Sequence, residues 1–216
     1  MATVISINPE DGPSAVTKID CGTSSPKLSG TIDVSAFENL QEIRCRSNHI
    51  TEITGYTDNT NIQTIFVDDN KLSGSIPDIT GMSSLQLINY GKNQLTGSIP
   101  SLSNNTVLRD FFCYGNQLTG NIPSLSSNTV LEQFSCRRNQ LSGYVAGSVP
   151  TSLLFFKAEY NQLTATAVNA ILADLVAAGT TNGTLNLGGT NAAPTGQGSI
   201  DAQTLRDRNW SVTVAL

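Results

Sequence analysis

Short apolar clusters recur along most of the chain, 22 or 23 residues apart. Each cluster follows the pattern L-x-x-L-x-L-x-x-N, in which an asparagine closes the cluster. Six copies fit this pattern, and they end at Asn48, Asn70, Asn93, Asn116, Asn139 and Asn161. Degenerate copies ending at Ser24 and Thr190 extend the series on either side. Alternating apolar residues predict a short β-strand in each copy. Repetition at this period predicts a solenoid.

The second and third apolar positions of each copy are predicted to point inward, because alternate side chains of a strand share a face. Parallel stacking at about 4.8 Å buries these positions as two columns. One column runs from Ile19 to Leu185 and the other from Cys21 to Leu187. The closing asparagine offers amide donors and an acceptor to turn backbone that is otherwise buried unpaired. We therefore expect a buried asparagine ladder.

The four cysteines share one repeat position, three residues before the ladder residue. They are Cys21, Cys45, Cys113 and Cys136. Neighbouring copies bring them close enough for a bridge. Side chains in parallel register point the same way, however, which is poor geometry for closing one. We expect free, buried thiols. We expect no metal site, since the chain contains one histidine.

The segments between strands also repeat, as KLSGSIP, QLTGSIP and QLTGNIP. Gly suits a tight turn, and Pro removes a donor where no partner exists. This L-[ST]-G-x-I-P segment resembles the plant-type leucine-rich repeat. The resemblance implies an α/β repeat solenoid, which is a right-handed horseshoe with a parallel β-sheet on its concave face. It would be mostly β and loop, with a C-terminal helical cap.

The pattern changes at both ends of the chain. Residues 1–15, with a short apolar strand at Thr3–Ile7, are predicted to be an N-terminal cap or docking arm. Residues 16–163 would form an array of about seven repeats. Residues 164–216 would form the C-terminal cap. In this cap we predict a helix capped by Thr164 and ended by Gly179, the strand TLNL, a helix near Asp201–Arg208 and a final strand.

The C-terminal segment GGTNAAPTGQGSIDAQTLRDRNWSVTV resembles the ends of leucine-rich-repeat proteins encoded by bacteriophages, including phages of cyanobacteria. This resemblance implies a virion protein, such as a tail-fibre or capsid-decorating module, assembled in the host cytoplasm. Its partners would be other virion proteins, or a protein or glycan on the host cell. The N-terminus lacks the features of a secretory signal, which fits this setting. The alternative is an adhesion or recognition protein on the bacterial surface.

Uncharged polar residues replace much of the usual charge. Asn, Ser and Thr account for 67 of 216 residues, and only 13% of residues are charged. The formal net charge of −5 argues against a nucleic-acid partner, which requires a basic face. No run of eighteen apolar residues is present, so we expect no membrane insertion.

The predicted functional surface consists of the outward positions one, two and four residues before the ladder asparagine. Many of the few charged residues gather there with three aromatic residues, and exposed aromatic and arginine residues often anchor interfaces. The predicted partner-binding residues are Arg44, Arg46, Phe66, Asp68, Asn89, Lys92, Phe112, Tyr114, Arg137, Arg138, Lys157 and Glu159. The alternative is that Arg46–Asp68 and Arg137–Glu159 are ordinary cross-strand ion pairs, and that Phe66 and Phe112 stack beside neighbouring repeats.

The sequence offers little for catalysis. His49 follows a ladder residue, and no Cys or Ser has a plausible base beside it. Asp68 and Asp69 are adjacent in a strand, so their side chains diverge. The glycines lie in turns, without the lysine of a phosphate-binding loop. We predict a non-enzymatic binding protein without catalytic residues or a cofactor.

Overall fold

The computed structural model describes residues 12–22, 25–57, 59–147 and 149–216. A single 3₁₀ turn, Pro13–Ala15, precedes the first strand. The strands and helices that follow are β1 Lys18–Asp20, β2 Ser29–Asp33, β3 Glu42–Arg44, β4 His49–Thr54, β5 Thr64–Phe66, β6 Ser73–Ser75, β7 Leu87–Asn89, β8 Gln94–Thr96, β9 Asp110–Phe112, β10 Thr119–Ile122, β11 Gln133–Ser135, β12 Gln140–Tyr144, β13 Phe155–Lys157, α1 Ala165–Ala178, β14 Thr184–Leu187, α2 Gln197–Asp207 and β15 Ser211–Val214.

Nine of these strands form one parallel sheet, in the order β1-β3-β5-β7-β9-β11-β13-β14-β15. Register is regular, so Ile43 pairs with Ile19 on one side and Ile65 on the other. The remaining strands form the parallel pairs β2-β4, β6-β8 and β10-β12 beside the main sheet. Each repeat is therefore one coil of a solenoid, called a rung below.

The core lies behind the nine-stranded sheet and follows the predicted columns. All eight residues of the column from Ile19 to Leu185 are buried, and so are those of the column from Cys21 to Leu187. Phe111, Phe134 and Phe156 stack along the first column, with ring centroids 5.4 Å apart at each step. Stacked rings of this kind gain about 0.5–1.5 kcal/mol beyond the burial of their area.

A second set of asparagines supports the opposite edge of the core. Asn105 and Asn128 are fully buried in the connections between rungs. The Asn105 amide donates to the carbonyls of Ile79 and Met82, at 3.0 and 2.9 Å. The Asn128 amide donates to the carbonyls of Leu102 and Asn105, each at 2.9 Å. Uncharged amides thus satisfy buried carbonyls on both sides of the core.

The C-terminal region follows the prediction in its elements. Helix α1 is capped by the Thr164 hydroxyl, which accepts from the Ala167 N–H at 3.2 Å, and it ends at Gly179 in the left-handed conformation. Helix α2 begins at Gln197, four residues before the predicted start. Strands β14 and β15 join the main sheet, so this region continues the solenoid as well as capping it. The predicted strand Thr3–Ile7 lies outside the described residues.

Candidate functional site

The asparagine ladder follows the main-sheet strands β3, β5, β7, β9, β11 and β13, and its hydrogen bonds confirm it. The Asn70 amide donates to the carbonyls of Cys45 and Val67 at 2.8 and 3.1 Å, and its Oδ1 accepts from the Ile50 N–H at 3.0 Å. Asn48, Asn93, Asn116, Asn139 and Asn161 repeat this arrangement. One side chain therefore joins each rung to the rung before it.

The ladder continues one rung further, at a residue that the sequence alignment misplaced. The prediction put Thr190 at the ladder position, but Asn191 occupies it. Asn191 Oδ1 accepts from the Leu163 N–H at 3.0 Å, and its amide donates to the carbonyls of Ala158 and Leu187. This rung has one extra residue between strand and ladder, which hid the match.

Two residues after the inward column that runs from Cys21 to Leu187, the backbone adopts the left-handed conformation. This conformation occurs in seven rungs, with φ between 52° and 76°. The residues are Ser47, Asp69, Lys92, Gly115, Arg138, Tyr160 and Gly189. Only Gly adopts this region without steric cost. The strand therefore ends in the same sharp turn in these seven rungs, and side chains at this position leave the sheet in a common direction.

We call the outward side chains of β1, β3, β5, β7, β9, β11 and β13, together with the residues one and two before each ladder asparagine, the open face. Near its N-terminal end, Arg44 and Arg46 lie over the Phe66 ring, 5.7 and 5.9 Å from its centroid. Arg46 also pairs with Asp68 at 3.2 Å, and Arg44 pairs with Glu42 at 3.0 Å. The alternative of cross-strand ion pairing therefore holds for Arg46 and Asp68.

The middle of the open face is organised around Tyr114. A methyl group added to Gly91 would lie 2.5 Å from the Tyr114 ring, so this ring covers the rung before it. The Arg137 guanidinium lies over the other side, 5.1 Å from the ring centroid. Arg137 in turn approaches Glu159 at 3.6 Å. A comparable stack places Arg138 4.8 Å from the centroid of Tyr160, which is 48% exposed.

A hollow of about 170 Å³ lies beside this stack on the open face. Ser135 is buried in it, because a small side chain there lies between larger ones in the adjacent rungs. Aromatic rings and two cations surround it. Its lining residues are Phe112, Tyr114, Gln133, Phe134, Ser135, Arg137, Phe155 and Lys157. The hollow combines apolar walls with positive charge.

Three predicted surface residues are buried rather than exposed: Asp68, Asn89 and Glu159 are 4%, 8% and 6% exposed. Asp68 and Glu159 lie beneath the arginines that they pair with. The Asn89 side chain bonds its own turn, where its Oδ1 accepts from the Gly91 N–H at 3.0 Å. The expectation that these three side chains are exposed was wrong.

Asn89 belongs to a motif that spacing alone did not reveal. Three rungs carry Gly directly after the inward column that runs from Cys21 to Leu187, and in each of them the residue two positions before this Gly is Asp or Asn. Asp20 and Asn186 likewise accept from Gly22 and Gly188, at 3.2 and 3.1 Å. The bond from the Gly22 N–H lowers the pKa of Asp20. These three side chains therefore stabilise the local turn.

The prediction missed a further outward column, six residues before the ladder asparagine. Phe155, 42% exposed, and Gln133 occupy this column and line the hollow. Strand alternation places this column on the same face as the one four before the ladder. Asp110 also lies in this column, where burial, aided by nearby Glu132, raises its carboxyl pKa. The alternation was thus sufficient to find these residues.

Within the described ranges, no group of three or more His, Cys, Asp or Glu side chains could hold a metal ion. Over the same residues, no helix combines the length and apolar character needed to cross a membrane. His49 is exposed at the start of β4. Asp68 is buried while Asp69 is exposed, so the two carboxylates do not converge.

No protein-family model and no curated protein matches the chain. Solved structures do match. The crystal structure of a TDR receptor is 19% identical, with a TM-score of 0.71, over 93% of this chain and 35% of its own. A pollen receptor kinase 3 structure is 28% identical, with a TM-score of 0.54, over 63% of this chain and 70% of its own.

A third similar structure is the Arabidopsis receptor kinase HAESA, solved with a peptide hormone and a co-receptor. It is 20% identical, with a TM-score of 0.59, over 76% of this chain and 32% of its own. The chain thus spans about a third of the TDR and HAESA structures. With the nine-stranded parallel sheet and the ladder, these similarities show the fold: the chain is a leucine-rich-repeat solenoid.

Proposed function

We propose that the chain is a recognition module that binds a protein partner through its open face. The hollow beside Tyr114 carries this proposal, because it joins exposed aromatic surface to Arg137 and Lys157. Aromatic and arginine side chains in such pockets supply much of the energy of protein interfaces. The similar HAESA structure contains a peptide hormone and a co-receptor, which also supports a protein ligand.

The rigid backbone under the hollow suits it to binding. Ladder residues Asn116 and Asn139 fix the ends of β9 and of β11, the strand that contains Ser135, with acceptor bonds of 3.0 Å each. The side chains therefore start from a preorganised arrangement, which lowers the ordering cost of association. No observation favours an enzymatic role, and the absence of catalysis remains an expectation.

We further propose that the module works on a phage particle, where it binds other virion proteins or the host surface. The C-terminal segment from Gly188 to Val214, which resembles phage-encoded proteins, supports this setting. A mass spectrum of purified particles tests it. Detection at a constant copy number per particle is expected, and absence from the particles contradicts the virion setting. A bacterial cell-surface protein is the alternative, and surface labelling of intact cells would then detect it.

A double substitution, Phe112→Ser with Tyr114→Ser, tests the open face. We expect at least about a tenfold loss of affinity, since interface anchors each contribute more than about 1 kcal/mol. The measurement is binding of the labelled chain to particles and to cells from the same source. Val107→Ser with Val130→Ser is the matched control, because both valines are exposed in the connections away from the open face. Undiminished binding by the Phe112/Tyr114 variant would refute the assignment.

A further inference from the structure

The first two rungs bring two thiols into direct contact. Cys45 Sγ lies 2.7 Å from Cys21 Sγ, and both residues are free cysteines. Strands β1 and β3 pair in parallel with Ile19 opposite Ile43, so Cys21 and Cys45 follow at equivalent positions. The prediction of free, buried thiols is confirmed for all four cysteines, and the sulfur atoms of this pair are also in contact.

The backbone holds both cysteines in place. The Asn48 amide donates to the carbonyls of Cys21 and Cys45, at 3.1 and 3.3 Å. The Cys21 N–H donates to the Arg44 carbonyl at 2.7 Å, and the Cys45 N–H donates to the Phe66 carbonyl at 2.8 Å. The sulfur contact therefore rests on a hydrogen-bonded framework on both sides.

Cys113 and Cys136 form a built-in comparison. The Asn139 amide donates to both of their carbonyls, at 3.0 and 2.9 Å, so their backbone matches that of the first pair. They differ in access, because both are fully buried whereas Cys21 is 6% exposed at the first rung. Burial raises the pKa of Cys113 and of Cys136, which disfavours their thiolates.

The chemistry of the first pair favours one sulfur as the nucleophile. The Cys45 S–H donates to Cys21, which lowers the pKa of the Cys21 thiol and raises that of Cys45. A thiolate, rather than a thiol, attacks a disulfide. Cys21 is thus both the more exposed and the more easily ionised of the two.

We propose that Cys21 and Cys45 form an oxidisable dithiol that closes to a disulfide between the first two rungs when the chain meets a small-molecule disulfide. The Cys21 thiolate attacks oxidised glutathione, forms a mixed disulfide and releases one glutathione thiolate. Cys45 then loses its proton and attacks the Cys21 sulfur, which releases the second glutathione. The protein is oxidised by two electrons, and one glutathione disulfide is reduced to two thiols.

The test treats the folded full-length chain with oxidised glutathione and then alkylates the remaining thiols after denaturation. We expect a mass loss of two hydrogen atoms before alkylation, and a cross-linked peptide pair containing Cys21 and Cys45. Cys113 and Cys136 should stay reduced during the oxidation and should therefore be alkylated. Hydrogen exchange in β1 and β3 should slow in the oxidised protein.

Two variants keep this test decisive. Cys45→Ser should stop the reaction at the mixed disulfide, so Cys21 should carry one glutathione. Cys113→Ser should leave the cross-link unchanged. A folded protein in which Cys21 and Cys45 stay reduced would overturn the proposal. Equal cross-linking of Cys113 to Cys136 would also overturn it. In that case neither the sulfur contact of the first pair nor the exposure of Cys21 would determine which cysteines react. The outcome does not depend on what the open face binds.

Discussion

The inward and outward side chains of the same strands obey different rules. Inward positions repeat from rung to rung, as Phe111, Phe134 and Phe156 show by stacking at a constant 5.4 Å. Outward positions change at each rung, from a phenylalanine at 112 to a buried serine at 135 and a lysine at 157. The inward residues are similar in every rung because stacking requires them to fit the same column. The outward residues differ because stacking places no such requirement on them, so the open face can vary.

The face of the strand does not by itself decide whether a side chain has a structural role. Asn89 points from an outward position and yet closes a turn onto Gly91. Asp68 and Glu159 are outward in register but lie buried under Arg46 and Arg137. Contacts as well as periodicity therefore decide whether a side chain is buried or exposed. Three substitutions, in order of decreasing expected effect on stability, test this difference between inward and outward positions.

Replacing a ladder residue should cause the largest loss of stability. Asn116→Leu removes the acceptor of the Leu95 N–H and the donor to the Tyr90 and Cys113 carbonyls. We expect the free energy of unfolding to fall by about 3 kcal/mol, since each buried polar group left without a hydrogen-bond partner costs about 1–3 kcal/mol. Urea denaturation followed by circular dichroism measures this. Gln117→Leu, at the adjacent exposed position, should change stability little, and an equal loss there would count against the ladder.

Adding a methyl group at the left-handed position should have a smaller effect. Gly115 has a φ of 66° and no close neighbour that an added Cβ would strike, so Gly115→Ala tests the backbone alone. We expect a loss of about 1 kcal/mol, the cost of placing an L-residue in this region. Lys92→Ala is the control, because an exposed residue with a side chain already occupies the same conformation there. If both variants lost the same amount, conformation would not be the cause.

The smallest effect should come from Asp110 on the open face. Burial and nearby Glu132 raise its pKa above 3.8, so its ionised form is disfavoured in the folded state. Asp110→Asn should therefore stabilise the protein near neutral pH by about 0.5 kcal/mol or less, since the site is partly solvated. The gain should fade as the pH drops below about 3.8, where the wild-type carboxyl is protonated in both states. Melting temperatures across this range measure the effect, and a pH-independent difference would contradict it.

Much of the fold was predictable because each rung makes the same contacts. The columns from Ile19 and Cys21 and the ladder from Asn48 to Asn161 follow from spacing and strand alternation. The helix from Thr164 to Gly179 follows from capping chemistry. Asn191 escaped prediction because an extra residue before it broke the spacing. The repeat therefore predicts a residue's position only where the spacing between rungs is constant.

The open face was less predictable, for two physical reasons. Burial of Asp68 and Glu159 depends on how far the arginines of the neighbouring rungs reach, which periodicity does not encode. The role of Asn89 depends on a hydrogen bond to Gly91 within one rung. Phe155 is a different case. Strand alternation alone places its side chain outward, but its column lies two residues before the first position of the predicted surface.

The ladder has a consequence for how such a chain can change over generations. Each ladder side chain in the array bonds only within its own rung and to the rung before it, as Asn70 does with Cys45 and Ile50. Duplication or loss of one 23-residue unit would therefore leave every remaining junction chemically complete, because nearest-neighbour terms dominate repeat arrays. The number of repeats can thus change during evolution without disrupting the fold. Selection can lengthen or shorten the open face by whole units, while the hydrogen bonds that join neighbouring rungs stay the same.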